Sequence, residues 1–308
     1  MKTKLIIYIL PIISILLLFG CEQENENNKG LKNIYVDNTI FLYKGNNPLN
    51  PCWFYDGENI AFIEQNPFNK NGIESWISVI DKNGSNYHTL NKYKEFYTTY
   101  HIDVSPDGQW IVFEGKEKSD DGPSDMYLIP TGGGDAIRLY IEGNEYSPHF
   151  SNDGQWIYFI SNLYGDGIYK VRRDGTELQQ TGVKESGLCN IDLTTDNNYI
   201  VYSILTGTSP DSTNRICVYS INEDRTWTVF EKKGYFKRSI TVSPDGRCIC
   251  FDDNNGLYVI PIEGGDPINI TSGSDYYPDW SNDGEWIVFI RDGQNLYKLL
   301  VTDEFLPR

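Results

Sequence analysis

The sequence predicts an all-β protein, a six-bladed β-propeller of four-stranded blades with an N-terminal strand closing the last blade. Three observations carry this. A nine-residue phrase, Ser105-Pro106-Asp107-Gly108-Gln109-Trp110-Ile111-Val112-Phe113, recurs through the chain. Tyr-bearing apolar runs follow the copies. No helical apolar period of useful length occurs after Asn33.

The phrase returns at Ser151–Phe159, Ser243–Phe251 and Ser281–Phe289, and in worn form at Phe54–Phe62 and Thr194–Tyr202. Six copies at intervals of roughly 40–50 residues are the signature of a propeller or array. Pro presets φ at the first central turn position, Asp follows, and Gly takes the left-handed position that lets the chain double back. The aromatic and β-branched run behind it is strand-forming. Each copy is therefore a hairpin corner.

In chain order, residues 1–20 carry Lys2 and Lys4, then an apolar run from Leu5 to Phe19, and read as an export signal. That run is short for a membrane span. Leu18-Phe19-Gly20-Cys21 resembles the bacterial lipobox, which implies cleavage before Cys21 and its lipidation. Residues 21–32 are polar and free of aromatics, a flexible tether. Its early glutamates resemble the tags that send some lipoproteins to the outer surface of the outer membrane.

Residues 33–308 form one domain, because the repeat runs to the C-terminus without a break in composition. Third strands are expected at Met126–Pro130, Gly167–Val171 and Gly256–Ile260, and a fourth at Ala136–Leu139. Four short antiparallel strands make a propeller blade. The sixth unit lacks a good fourth strand, since only Thr302–Arg308 remain and Pro307 stands among them. The unassigned stretch Ile34–Tyr43 is expected to complete that blade and remove a raw sheet edge.

The Ser-Pro-Asp-Gly-x-x-Ile-x-Phe phrase, with its Tyr-containing third strand, resembles the PD40 (WD40-like) repeats of the Tol-system periplasmic propeller. The same repeats occur in the propellers of prolyl-oligopeptidase relatives. The resemblance covers about residues 33–308 and implies the fold; many functions share this propeller. The Tol protein's separate N-terminal domain and the peptidases' hydrolase domain have no matching motif here, and no Gly-x-Ser-x-Gly elbow occurs.

Composition narrows the chemistry. The chain has 43 acidic and 26 basic residues, a net charge of −17, and loss of Lys2 and Lys4 with the signal takes it to −19. Such a surface repels nucleic acid, so no nucleic-acid partner is expected. His88, His101 and His149 are the three histidines, and none forms a helical metal pair. Gly132-Gly133-Gly134 lacks the lysine and helix of a phosphate loop. Beyond Cys21 stand Cys52, Cys189, Cys217, Cys248 and Cys250. Cys248 occupies the repeat position of Trp110 and Cys250 that of Val112, so both are expected as buried thiols. A cross-strand disulfide is the alternative, because export permits one.

The polar pattern lies just before each turn, on the innermost strand. Two residues before the phrase stand Cys52, Asp103, His149, Asp192, Thr241 and Asp279. Four before it stand Asn50, His101, Ser147, Asn190, Ser239 and Tyr277. The intervening positions are apolar, and a period of two sends the polar set into the central channel. Asp103, His149, Asp192, Asp279, His101, Asn190 and Tyr277 are the channel-lining candidates. Asp103, Asp192, Asp279 and His149 are candidate ligands for calcium or another divalent cation, oxygen donors suiting such ions. No catalytic residue is assigned. The expected function is a monomeric, non-catalytic binding scaffold of the bacterial cell envelope. It is held to the membrane by lipid on Cys21, facing the periplasm or the surface, and presents loops or the channel mouth to an envelope protein or glycan. The alternative is a channel-metal-dependent, lyase-like enzyme acting on oligosaccharides.

Overall fold

A computed structural model describes residues 32–33, 38–66, 74–91, 96–98, 100–117, 123–208, 211–234 and 239–306. The export signal, Cys21 and the tether up to residue 31 lie outside the described residues. Among the described residues all regular secondary structure is strand.

Six antiparallel sheets follow one another around a ring. Blade one is Leu49–Trp53, Asn59–Asn66, Glu74–Asp81 and His88–Asn91. Blade two is Ile102–Val104, Trp110–Glu117, Asp125–Pro130 and Ile137–Leu139, with Phe96–Thr98 also paired to its second strand. Blade three is Glu145–Phe150, Trp156–Ser161, Gly167–Arg172 and Gln179–Gln180. Blade four is Leu188–Leu193, Tyr199–Thr206, Thr213–Ser220 and Arg225–Lys233. Blade five is Ile240–Val242, Cys248–Asp253, Gly256–Pro261 and Ile268–Asn269. Blade six is Asp275–Trp280, Trp286–Arg291, Asn295–Leu300 and, from the other end of the chain, Thr39–Lys44.

The N-terminal strand thus closes the ring as the sequence led us to expect, with Thr39 opposite Leu299 and Phe41 opposite Tyr297. Leu42 is buried with Trp53, Ile60 and Phe62 in the seam between blades six and one. One pairing was not foreseen. Lys32–Asn33, which takes in the last residue of the expected tether, runs parallel to Ile268–Asn269 and adds a fifth strand to blade five.

The recurring phrase closes each hairpin by the same bonds. In blade two the Ser105 hydroxyl donates to Asp107 Oδ1 at 2.5 Å and accepts the Trp110 N–H at 3.0 Å. Asp107 Oδ1 also accepts the Gln109 N–H at 3.0 Å, and Gly108 sits at φ 66°. The worn copy at Thr194 keeps this network because threonine has the same hydroxyl, and Asn197 takes the left-handed position at φ 56°. The copy at Phe54 has no hydroxyl but keeps the Asp56 bond to the Glu58 N–H and the backbone bonds from Phe54 to Asn59 and from Gly57 to Phe54. Behind the turns the apolar faces form six clusters, each shared by two neighbouring blades. The core is therefore a ring of seams around the channel.

Candidate functional site in the central channel

The inner strand of each blade borders the channel, and proline shapes three of them. Pro51, Pro148 and Pro278 are preceded by Asn50, Ser147 and Tyr277 in the left-handed region, at φ 41°, 52° and 57°. The pairing register shifts at each of these sites. Proline cannot donate to a ladder and is confined to sheet edges and bulges, which is what the inner strand of a blade provides.

The residues two before each turn meet at the waist of the channel. Cys52, Asp103, His149, Asp192 and Asp279 line both the cavity of about 120 Å³ on the turn side and that of about 70 Å³ on the other. Tyr55, Asn152 and Asn282 stand at the outer end of the first, and Asn50, His101, Asn190, Ser239 and Tyr277 in the second. The seven channel candidates are therefore brought to one channel. Asn190 is itself buried in the wall, only 7% exposed.

The waist residues hold the ring together as well as lining it. Asp103 Oδ2 accepts the N–H of Phe150 in the next blade at 2.7 Å. Asp192 Oδ2 accepts that of Val242, and Asp279 Oδ2 that of Trp53, both at 2.7 Å. Thr241 accepts the Trp280 N–H at 3.3 Å. Each of these side chains satisfies an edge donor that has no ladder partner. Sequence reasoning placed these groups in the channel but did not foresee the bonds.

A second tier lies nearer the other face. Glu114 Oε2 is 3.0 Å from His101 Nδ1 and accepts the Ser147 N–H at 2.9 Å. Asp252 accepts the N–H of Ser239 at 3.0 Å and of Tyr277 at 3.4 Å. These two carboxylates were missed. Their signal is an acid directly after the phrase's last aromatic, where other copies carry Ile63, Ile160 and Ile290.

Burial sets the electrostatics. It pushes the Asp192 carboxyl up to about 6, against the pull of the Val242 and Leu193 amides. Asp103 is also raised by burial, with His149 opposing. Asp279 is raised well above the usual range, by burial and by the charges of Asp192 and Asp103. Burial lowers His149, whose Nδ1 lies 3.8 Å from both Asp103 and Asp192. Among the described residues, no group of three or more His, Cys, Asp or Glu side chains is placed to hold one metal ion. The oxygens of Asp103, Asp192 and Asp279 instead face backbone amides. The six turn aspartates, Asp56, Asp107, Asp153, Asp196, Asp245 and Asp283, are all exposed, each directly after a residue that lines the turn-side cavity, and Asp107 and Asp245 are paired with Arg173 and Arg247.

Among the described residues, Cys52, Cys189, Cys217, Cys248 and Cys250 form no disulfide. Cys248 and Cys250 are buried in the seam of blades five and six, as their place in the repeat implied.

A closed ring of six four-stranded blades around a polar, carboxylate-waisted channel defines a six-bladed β-propeller. Within that class the chain belongs to the PD40 family, described as the TolB beta propeller domain, whose family model matches residues 35–256. Among solved structures it is similar to TolB from Acinetobacter baumannii at 16% identity and a TM-score of 0.55, over 82% of this chain and 54% of that one. The chain thus spans about half the length of that TolB. It is also similar to the gluconolactonase XC5397 of Xanthomonas campestris, at 13% identity and a TM-score of 0.60, over 85% and 89% of the two chains. An oligogalacturonate lyase from Vibrio parahaemolyticus matches at 9% identity and a TM-score of 0.54, over 86% and 91%. At these identities the likeness is one of fold. No curated protein matches the sequence.

Proposed function

We propose that this chain is a non-catalytic binding scaffold of the cell envelope, anchored by lipid on Cys21, which receives its partner at the turn-side mouth of the channel. One observation supports this most: six exposed aspartates, of which Asp107 and Asp245 are paired with Arg173 and Arg247, directly follow the residues that line the turn-side cavity, over a waist of further carboxylates bonded to the propeller's own backbone. Potential of one sign around a cleft selects partners of the opposite sign and speeds their arrival. The partner that fits is a protein segment rich in lysine and arginine, or a cationic glycan.

The test is a titration of the full chain with a lysine-rich peptide and with an oligogalacturonate as anionic control. Binding of the peptide that weakens with salt and falls in the Asp107→Asn, Asp153→Asn, Asp283→Asn triple variant supports the reading. Equal affinity for both probes, or no binding of either, rejects it.

The lyase-like reading has one observation in its favour, His149 lying between Asp103 and Asp192 at 3.8 Å from each. Elemental analysis of the full chain with and without chelator separates the two. A stoichiometric metal lost in Asp103→Asn favours the enzyme.

A further inference from the structure

The end of the channel away from the turns has a chemistry of its own. Its cavity of about 70 Å³ is several times the roughly 10–15 Å³ that one water needs. Asp103, Asp192 and Asp279 stand at its inner end, and Asn50, Asn190 and Ser239 line it further out. Among the described residues that line it there is no lysine or arginine. The cavity is therefore anionic within and neutral but hydrogen-bonding towards its mouth.

Acceptors outnumber donors there. Asp192 takes the N–H groups of Val242 at 2.7 Å and Leu193 at 2.6 Å, about half of the roughly four acceptor sites of a carboxylate. Asn190 stands two residues earlier and so on the same side of the strand, projecting into this cavity. It is 7% exposed, and its Oδ1 is buried without a partner. His101 faces Glu114 through Nδ1 at 3.0 Å. A carboxylate only accepts, so the proton sits on Nδ1 and the neutral ring offers Nε2 as an acceptor. His149 is 3.8 Å from Asp192, beyond hydrogen-bond length, and burial disfavours its charged form. A buried acceptor without a partner calls for a ligand or an ion.

A metal ion asks for ligands that converge on one point, and among the described residues no such group forms. A primary ammonium carries three N–H donors that point apart, which suits acceptors spread along a wall. We infer that this cavity binds a small primary amine, its ammonium towards Asp192 and Asp279 and a hydroxyl-bearing tail beside Asn190 and Ser239. The site shares the waist with the turn-side mouth but does not rest on the function proposed for that mouth.

The test is calorimetric titration of the full chain with ethanolamine, ethylene glycol and tetramethylammonium. Ethanolamine should bind at least about tenfold more tightly than the glycol, which lacks the charge, or tetramethylammonium, which lacks N–H donors. Asn190→Leu should weaken ethanolamine by about tenfold without lowering the melting temperature of the free chain, because the oxygen it removes is unpaired. Ser239→Ala should weaken it less and in the same direction. The Asp107→Asn, Asp153→Asn, Asp283→Asn triple variant should bind ethanolamine as the unaltered chain does, which separates this site from the turn-side mouth. Equal binding of the three compounds, no binding of ethanolamine, or its loss in the triple variant overturns the inference. So does calcium binding that excludes ethanolamine, which would make the cavity a metal site. Glycerophosphoethanolamine brings a phosphate towards the carboxylates and should bind more weakly than ethanolamine; equal binding overturns the free amine in favour of a lipid headgroup.

Discussion

Asp279 accepts the backbone N–H of Trp53 at 2.7 Å, across 226 residues of chain, and so ties blade six to blade one at the channel waist. The same bond joins Asp103 to Phe150 and Asp192 to Val242, at alternate seams. Asp279 differs in that its seam is also the one closed by the N-terminal strand. Two devices therefore hold the ring shut where its first and last blades meet, the Asp279 bond at the waist and the N-terminal strand at the outer edge.

Removing the inner device should cost stability. Asp279→Ala leaves the Trp53 N–H without an acceptor and should destabilise the chain by about 1–3 kcal/mol. Urea unfolding measures this. Asp279→Asn keeps an oxygen acceptor and should cost less; equal loss in both variants would show that charge, not the bond, matters.

The outer device predicts a packing effect. Leu42→Ala removes a side chain that is 6% exposed in the seam of blades six and one, and should cost about 2–3 kcal/mol. Ile40→Ala, on the same strand but 45% exposed, should change the urea midpoint little.

Glu145 predicts a pH dependence. Its side chain is buried near Asp125, Arg138 and Ser161, and one carboxyl oxygen has no partner. Burial and then the Asp125 charge push it up to about 8. In the aligned place of blade six, Asp275 is gripped by Arg291 at 2.7 and 2.8 Å, whereas Ser161 faces Glu145. The folded chain holds this proton more tightly than the unfolded one. Its contribution is full below the ordinary glutamate range and is lost as pH rises towards 8. Glu145→Gln should flatten the fall in melting temperature between pH 5 and about 8.

The thiols predict a reactivity pattern. Cys189 is partly exposed, while Cys52, Cys217, Cys248 and Cys250 are buried. Burial pushes Cys248 up to about 11, so little thiolate exists to react. With Cys21 set aside, one thiol should titrate promptly with Ellman's reagent in the native chain and five after denaturation. Prompt reaction of more than one would contradict the burial of the other four.

Much of this was legible in the residues. The Ser-Pro-Asp-Gly phrase marks its own hairpins because hydroxyl, carboxylate and glycine all act within five residues of one another. Period two on Asn190–Leu193 or Pro278–Trp280 sends alternate side chains to the channel through strand geometry alone. The bond from Asp279 to Trp53 could not be read in this way, because it depends on how two blades sit. Glu114 and Asp252 had a signal, the acid directly after the phrase's last aromatic, but their bonds to Ser147 and Tyr277 reach into neighbouring blades and could not be read in this way.

The sequence by itself determined the number of blades, the place of each turn, the closing strand and the residues that face the channel. These follow from local conformational preference and from a repeat that every copy must obey. Only the tertiary structure decided what the channel carboxylates do and that Lys32–Asn33 adds a strand to blade five. Those relations join residues far apart in the chain, and their energies depend on distances and burial that exist only once the ring has closed.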